Sequence, residues 1–178
     1  MATSPSEALP RPLRTVDGLW LLAYPIYQLL GTFRHESAHA LVALLEGAAI
    51  AEFVFWPTFA EGGGIRWGYV RWQGEVSWLS LAAPYVLDLL TFALGLWICR
   101  RSTFKRRWIW LNVVVLTVLS PLANSLYNYA GGLRNGTNDV GRLLRLLPDG
   151  PVHAYFIVTL TLYVVGLVVL FRRRRKEW

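Results

Sequence analysis

Two histidines and a glutamate in the segment His35-Glu36-Ser37-Ala38-His39 have the spacing of a zinc-binding helix. Residues at positions i and i+4 lie on one face of a helix about one turn apart, so both imidazoles can bind a single ion. The glutamate between them then lies beside the metal, where it can accept a proton from water. The order of these residues indicates hydrolysis, with His35 and His39 as metal ligands and Glu36 as the catalytic base.

The alternative for this segment is structural: two interior histidines and an ion-paired glutamate. Ionisable side chains within an apolar helix are costly and therefore uncommon without a function. We favour the metal site for that reason.

The composition is typical of a small integral membrane protein. Apolar residues make up 54% of the 178 positions, and the mean hydropathy is +0.38. A single cysteine, Cys99, excludes an internal disulfide framework and a cysteine-rich zinc site. Any metal must therefore be held by histidine, aspartate or glutamate.

The net charge of +7 raises the question of a nucleic-acid partner. The basic residues are concentrated beside apolar segments, at residues 100–107 and 172–176, where the headgroups of anionic lipids are the natural partner. No aromatic and basic module of a known type accompanies them, so we expect the lipid bilayer and not nucleic acid.

Four apolar segments, at residues 18–47, 77–99, 108–130 and 152–171, have about the length that a membrane-spanning helix requires. The first would be about 45 Å long as a helix, which exceeds a hydrocarbon core of about 30 Å, so it must tilt, protrude or kink at Pro25. We expect an all-α integral membrane protein with about four transmembrane helices.

Between the first two spans, residues 50–56 and 65–72 are β-prone runs around Pro57 and three glycines. They predict a small β-hairpin at the membrane surface. Its tryptophans fit an interfacial belt, and the alternative is an edge strand that pairs with an extended substrate.

The remaining segments are predicted to be tails around one membrane-embedded domain, residues 18–171. Residues 1–17 are polar and read as a disordered N-terminal tail, and residues 172–178 form a basic C-terminal tail. A cleaved signal peptide is disfavoured, because cleavage near Ala38 would destroy the histidine motif. With 12 Lys and Arg residues on the face that holds both termini and five on the other, we expect both termini to be cytoplasmic.

Two histidines leave zinc without its usual third protein ligand. Asp139, just after the third span and on the same side of the membrane as the end of the first, is the preferred candidate. The alternative for Asp139 is an N-cap of a short helix over residues 140–147. Asp88, within the second span, is a rival third ligand or a partner for Arg34.

Asparagines supply further polar groups near these positions. Asn124 and Asn128 have the spacing of the two histidines, and they are candidates for binding substrate backbone, steadying a zinc ligand or hydrogen-bonding between helices. Asn138, next to the candidate ligand, is a further residue of this kind. His153, at the start of the fourth span, is expected to be structural.

The chain resembles the site-2 protease group of intramembrane zinc metalloproteases, in which an aspartate from an LDG-type segment completes a membrane-embedded HExxH. Residues 139–144, Asp-Val-Gly-Arg-Leu-Leu, are similar to that family's D-G-G-R-I-L, and residues 81–88 are similar to its A-G-P-L-x-N pattern. The order of the motifs agrees over residues 30–147. Asn138 and Val140 replace the usual Leu and Gly around the aspartate.

The resemblance implies a zinc-dependent protease that cleaves a peptide bond in or near a transmembrane segment of another membrane protein. It also implies a metal towards the cytoplasmic face, whereas the count of basic residues places the motif's end of the first helix outside. The alternative function is a non-proteolytic membrane assembly factor or adaptor with a structural or vestigial metal site.

Overall fold

The computed structural model describes residues 15–59, 65–104 and 106–175. Its main elements are helices, which agrees with the predicted fold class. In chain order they are α1 (Thr15–Leu45), α2 (Trp78–Arg101), α3 (Arg107–Val114), a π-helical segment (Val115–Leu119), α4 (Ser120–Asn135), α5 (Asp139–Leu146) and α6 (Asp149–Arg175).

Three helical stretches among the described residues are long and apolar enough to cross a membrane. They are α2, the continuous stretch from α3 through the π-helical segment to α4, and α6. Many of their large apolar side chains face outward, as expected of helices whose outer surface contacts lipid. The chain is therefore a multi-pass membrane protein.

The first predicted span forms the helix α1, which continues through Pro25 without a break. It is not among the three apolar stretches, so a fourth crossing stays a prediction. Its second half carries the buried polar residues Thr32, His35, Glu36 and His39, which lower its hydropathy but contact protein.

The first and last helices extend into the two predicted tails. Helix α1 begins at Thr15, so residues 15–17 are helical, and α6 continues through the first basic residues to Arg175. Residues 1–14 and 176–178 lie outside the described residues. The prediction of a disordered N-terminal tail falls mainly on residues 1–14.

The predicted β-hairpin between α1 and α2 is confirmed. Strand β1 (Ala49–Val54) pairs in antiparallel fashion with β4 (Tyr69–Gln73), and two short strands, β2 (Thr58–Phe59) and β3 (Ile65–Arg66), pair beyond them. The ring of Phe33 on α1 packs edge to face against Phe53 and Phe55, with centroids 6.0 and 5.2 Å away. These aromatic contacts hold the hairpin against α1.

Two buried apolar clusters join the helices. One cluster surrounds Phe92, Val118 and Tyr163 and packs α2, the π-helical segment and α6 together. The other surrounds Tyr85 and Phe156 and includes residues of α5, which it attaches to α2 and α6. Burial of these side chains fixes α5 against the bundle, because apolar area removed from water or lipid headgroups stabilises the packed state.

Pro121 explains the π-helical segment that precedes it. The backbone N–H of Ser120 donates to the carbonyl of Val115, five residues earlier. Proline lacks a backbone N–H and its ring crowds the preceding turn, so a local widening of the helix accommodates it. The third predicted span is therefore one continuous helical stretch that changes register near its middle.

Candidate metal centre

Three side chains from two helices converge at one point, and they are the three predicted metal ligands. His35 and His39 lie one turn apart on α1, and Asp139 is the first residue of α5. The Nε2 atoms of the two histidines are 3.2 Å apart, and Oδ2 of Asp139 lies 3.3 Å from the first and 3.1 Å from the second. Within the described part of the chain, this group has the residue types and proximity to hold a metal ion.

The three separations fit a tetrahedral zinc site. With zinc bonds of about 2.0–2.1 Å to nitrogen and oxygen, ligand atoms in a tetrahedron lie about 3.3 Å from each other. The observed separations of 3.1 to 3.3 Å match this value. Two imidazoles and one carboxylate, with a fourth position left for water, are also a donor set that catalytic zinc sites use.

His39 is held in the tautomer that a metal ligand requires. Its Nδ1 atom lies 2.7 Å from the carbonyl oxygen of Ser80 on α2. A carbonyl can only accept, so Nδ1 carries the ring hydrogen and the lone pair of Nε2 faces His35 and Asp139. Nδ1 of His39 thus donates to the backbone of α2.

His35 is enclosed by an aromatic ring and an amide. The ring of Tyr85 packs edge to face on it, with centroids 5.7 Å apart, and the side-chain nitrogen of Asn124 lies 3.1 Å from Nδ1. The same nitrogen also donates to Asp88, so one amide contacts both the ring and α2. These contacts orient the ring of His35.

Asn138, and not Asp139, caps α5, which corrects the capping alternative. The side-chain oxygen of Asn138 accepts from the backbone N–H of Gly141 at 3.0 Å, and the helix begins at Asp139. The carboxylate of Asp139 is thereby left to face the histidines. Burial alone would raise the pKa of Asp139, but the adjacent imidazoles of His35 and His39 outweigh it and hold that pKa well below its usual range.

Asp88 pairs with Arg34, so the structure supports the ion-pair alternative over the rival ligand. The guanidinium lies 2.7 Å from Oδ1 of Asp88, whose side chain is almost completely buried. The other oxygen, Oδ2, accepts from the side-chain nitrogen of Asn124 at 2.7 Å. Asp88 therefore lies behind His35 and contacts it through Asn124.

The three predicted asparagines form a chain of hydrogen bonds. The side-chain nitrogen of Asn128 donates to the side-chain oxygen of Asn124 at 3.0 Å, and that of Asn138 donates to the backbone carbonyl of Asn128 at 2.7 Å. One end of the chain reaches His35 and the other caps the helix that begins with Asp139. These contacts place Asn124 beside His35 and join α4 to the start of α5, while the roles predicted for the asparagines at the metal and with substrate stay predictions.

Glu36 lies in the same buried region, beneath the hairpin. Its carboxyl group is close enough to His35, His39 and Asp139 to interact electrostatically with all three. Gly68, before β4, packs so closely on α1 that an added Cβ would lie 3.1 Å from Cγ of Glu36. The hairpin thus covers the face of α1 that carries the candidate base.

Several residues contact the candidate ligands but could not be identified from the sequence. Ser80 contributes a backbone carbonyl, and Trp72 of β4 contributes a ring whose centroid is 6.4 Å from that of His39. His153, which is predicted to be structural, pairs through Nδ1 with the hydroxyl of Tyr129 at 2.9 Å. Gly132 packs closely against α5, and the only sign of this contact in the sequence is the pair of glycines at 131 and 132.

A comparison with protein-family models places this arrangement in a known group. The family described as peptidase M50B-like matches residues 16–168, which include α1, the hairpin and all three candidate ligands. This match confirms the predicted resemblance to site-2 protease-like metallopeptidases. No curated protein and no solved structure matches the chain. Because the family match covers most of the sequence, the chain belongs to the peptidase M50B-like family of membrane metallopeptidases.

Proposed function

We propose that this protein is an intramembrane zinc metalloprotease that hydrolyses a peptide bond in or near a transmembrane segment of another membrane protein. The observation that carries the proposal is the triangle of donor atoms from His35, His39 and Asp139, with sides of 3.1 to 3.3 Å. The triangle belongs to a chain with three apolar helices that can span a bilayer. Family membership supports the same class of reaction.

His35, His39 and Asp139 would hold the zinc ion in this proposal. When bound, zinc supplies Lewis acidity, which polarises the scissile carbonyl and makes water a nucleophile near neutral pH. The protein keeps both imidazoles oriented through the contacts at their Nδ1 atoms, with Ser80 for His39 and Asn124 for His35. The N–H that His39 donates to a carbonyl is the kind of outer contact that raises the affinity of histidine for metal.

Glu36 serves as the general base and then as the general acid. Its carboxylate takes the proton of the attacking water and returns a proton to the amine that leaves when the peptide bond breaks. The position of Glu36, between two ligands and beneath the hairpin, supports this role, because both proton transfers need a carboxyl group next to the reacting atoms.

The substrate must lose its helical structure at the scissile bond. Peptide groups within a transmembrane helix are hydrogen-bonded to each other and shielded, so a segment has to unwind before attack. Within the described residues β1 and β4 form a two-stranded sheet, so each strand offers an outer edge to which an extended segment can add. The ring of Trp72 near His39 puts β4 beside the ligands.

The test uses purified protein in lipid vesicles with zinc and a synthetic single-span peptide that has a Gly-Pro pair within its span. We expect the wild-type protein to cleave the peptide within or next to that span, as read by mass spectrometry. Glu36→Gln should bind zinc equally well and cleave at least about 100-fold more slowly, the usual contribution of a general base.

Two results would count against the proposal in different ways. Cleavage by Glu36→Gln at the wild-type rate would remove Glu36 from the role of base. A wild-type protein that binds zinc in stoichiometric amount and cleaves no membrane-spanning peptide would favour the assembly-factor or adaptor alternative.

A further inference from the structure

Arg34, the residue directly before the first candidate ligand, binds three groups on two other helical stretches. Its Nε atom donates to Oδ1 of Asp88 on α2 at 2.9 Å. Its Nη1 atom donates to the backbone carbonyl of Leu116 at 3.1 Å, and Nη2 donates to the hydroxyl of Ser120 at 3.2 Å. One guanidinium thus connects α1 to α2 and to the junction between the π-helical segment and α4.

The carbonyl of Leu116 is a specific target because of Pro121. In the register of the π-helical segment, Ser120 donates to Val115, so the next residue, 121, would donate to Leu116. Proline has no N–H, and this carbonyl loses that helical donor. Backbone carbonyls at membrane depth need a partner, and Nη1 of Arg34 provides one.

Further contacts align α1 along the same stretch. The hydroxyl of Tyr27 donates to the side chain of Asn112 at 2.6 Å, and Gly31 packs so closely that an added Cβ would lie 2.9 Å from the hydroxyl oxygen of Ser120. Tyr27, Gly31 and Arg34 are spaced by four and three residues, so they share one face of α1. The contacts of this face set the depth of α1 along the neighbouring helical stretch and the rotation of α1 about its own axis.

We propose that Arg34 is a positioning residue of the metal centre, which holds α1 at the depth and rotation at which His35 and His39 meet Asp139. The inference rests on the proposed metal site. It assigns Arg34 no contact with substrate or metal. The planar fork of arginine can serve a carboxylate, a carbonyl and a hydroxyl at once, whereas the single ammonium group of lysine cannot keep all three in this geometry.

The test compares the wild-type protein with Arg34→Lys, which keeps the charge. Arg71→Lys is the matched control, since Arg71 forms an exposed ion pair with Glu52 at 3.3 Å on the hairpin. The readouts are zinc affinity and the d–d absorption spectrum of bound Co²⁺, which reports ligand geometry. Thermal unfolding of the metal-free proteins shows whether each variant folds.

We expect Arg34→Lys to fold, to bind zinc about 10- to 100-fold more weakly and to change the Co²⁺ spectrum, while Arg71→Lys matches the wild type. An unchanged affinity and spectrum in Arg34→Lys would overturn the inference and leave the proposed function intact. A wild-type protein that binds neither ion would overturn both. If Arg34→Lys does not fold, Ser120→Ala removes one of the three acceptors, and an unchanged Co²⁺ spectrum in that variant would overturn the inference.

Discussion

Gly132 of α4 and Val140 of α5 are in such close contact that a Cβ atom on the glycine would lie 2.8 Å from Cβ of the valine. The same atom would lie 2.9 Å from the backbone nitrogen of Gly141 and 3.0 Å from the side-chain oxygen of Asn138. Asn138 and Val140 flank Asp139 in the chain. The absence of a side chain at position 132 therefore sets the distance between α4 and the candidate ligand on α5.

Gly132→Ala should displace α5 and weaken the metal site. The extra methyl group has no space, and overpacking of this kind costs about 1–3 kcal/mol of unfolding free energy. Gly150→Ala is the control, because a Cβ there meets no atom within 4 Å. Thermal unfolding and zinc titration of both variants check the prediction, and a Gly132→Ala protein with wild-type zinc affinity would show that α5 is not held in this way.

Asn124→Ala should reduce zinc affinity about 10- to 100-fold, because loss of a group that orients a metal-bound histidine has effects of this size. The amide contacts both His35 and Asp88, so its removal frees the ring and leaves one carboxylate oxygen without that donor. Thr161→Ala, which loses a hydrogen bond within α6, is the comparison. Equal zinc affinity in the two variants would mean that Asn124 does not orient His35.

Substrates that unwind easily should be cleaved faster. A proline within a helix destabilises it by about 3 kcal/mol, so a span with a Gly-Pro pair should be cleaved up to about 100-fold faster than the same span with Leu-Leu. Cleavage rates of the two peptides in vesicles measure this ratio. Equal rates would show that unwinding of the substrate is not part of the rate-limiting step.

The distribution of basic residues predicts that the loop at residues 102–104 faces the cytoplasm and the start of α6 faces outside. In a Cys99→Ser background, a maleimide that cannot cross membranes should label Asp149→Cys in intact cells and leave Thr103→Cys unlabelled, since both positions are exposed in the protein. The reverse pattern would place the metal centre towards the cytoplasm, as the family resemblance implies.

The sequence identified the parts of the site that depend on local geometry. The spacing of His35 and His39 fixes them on one face of α1 whatever the rest of the fold, and Glu36 follows from the same helix. Asp139 does not follow from local geometry alone, because an aspartate before a short amphipathic helix is also a good cap. The structure resolves this through Asn138, whose side chain takes the capping role.

Contacts that involve the backbone could not be predicted in the same way. The carbonyl oxygens of Ser80 and Leu116 contact His39 and Arg34, but a carbonyl is present at every position of the chain and marks none. Pro121 indicates a disturbance of the helix, but the register of the π-helical segment depends on the packing around it. The partner of Arg34 at Leu116 therefore emerges only from the tertiary structure.

Metal content decides whether His35, His39 and Asp139 form a zinc site. Zinc is measured in the purified wild-type protein, in Asp139→Ala and in Asp149→Ala, where the last removes an exposed aspartate at the start of α6. We predict one zinc ion per chain in the wild type and in Asp149→Ala, and loss of zinc in Asp139→Ala. A wild-type protein without zinc, or an Asp139→Ala protein that keeps it, would contradict a metal centre formed by His35, His39 and Asp139.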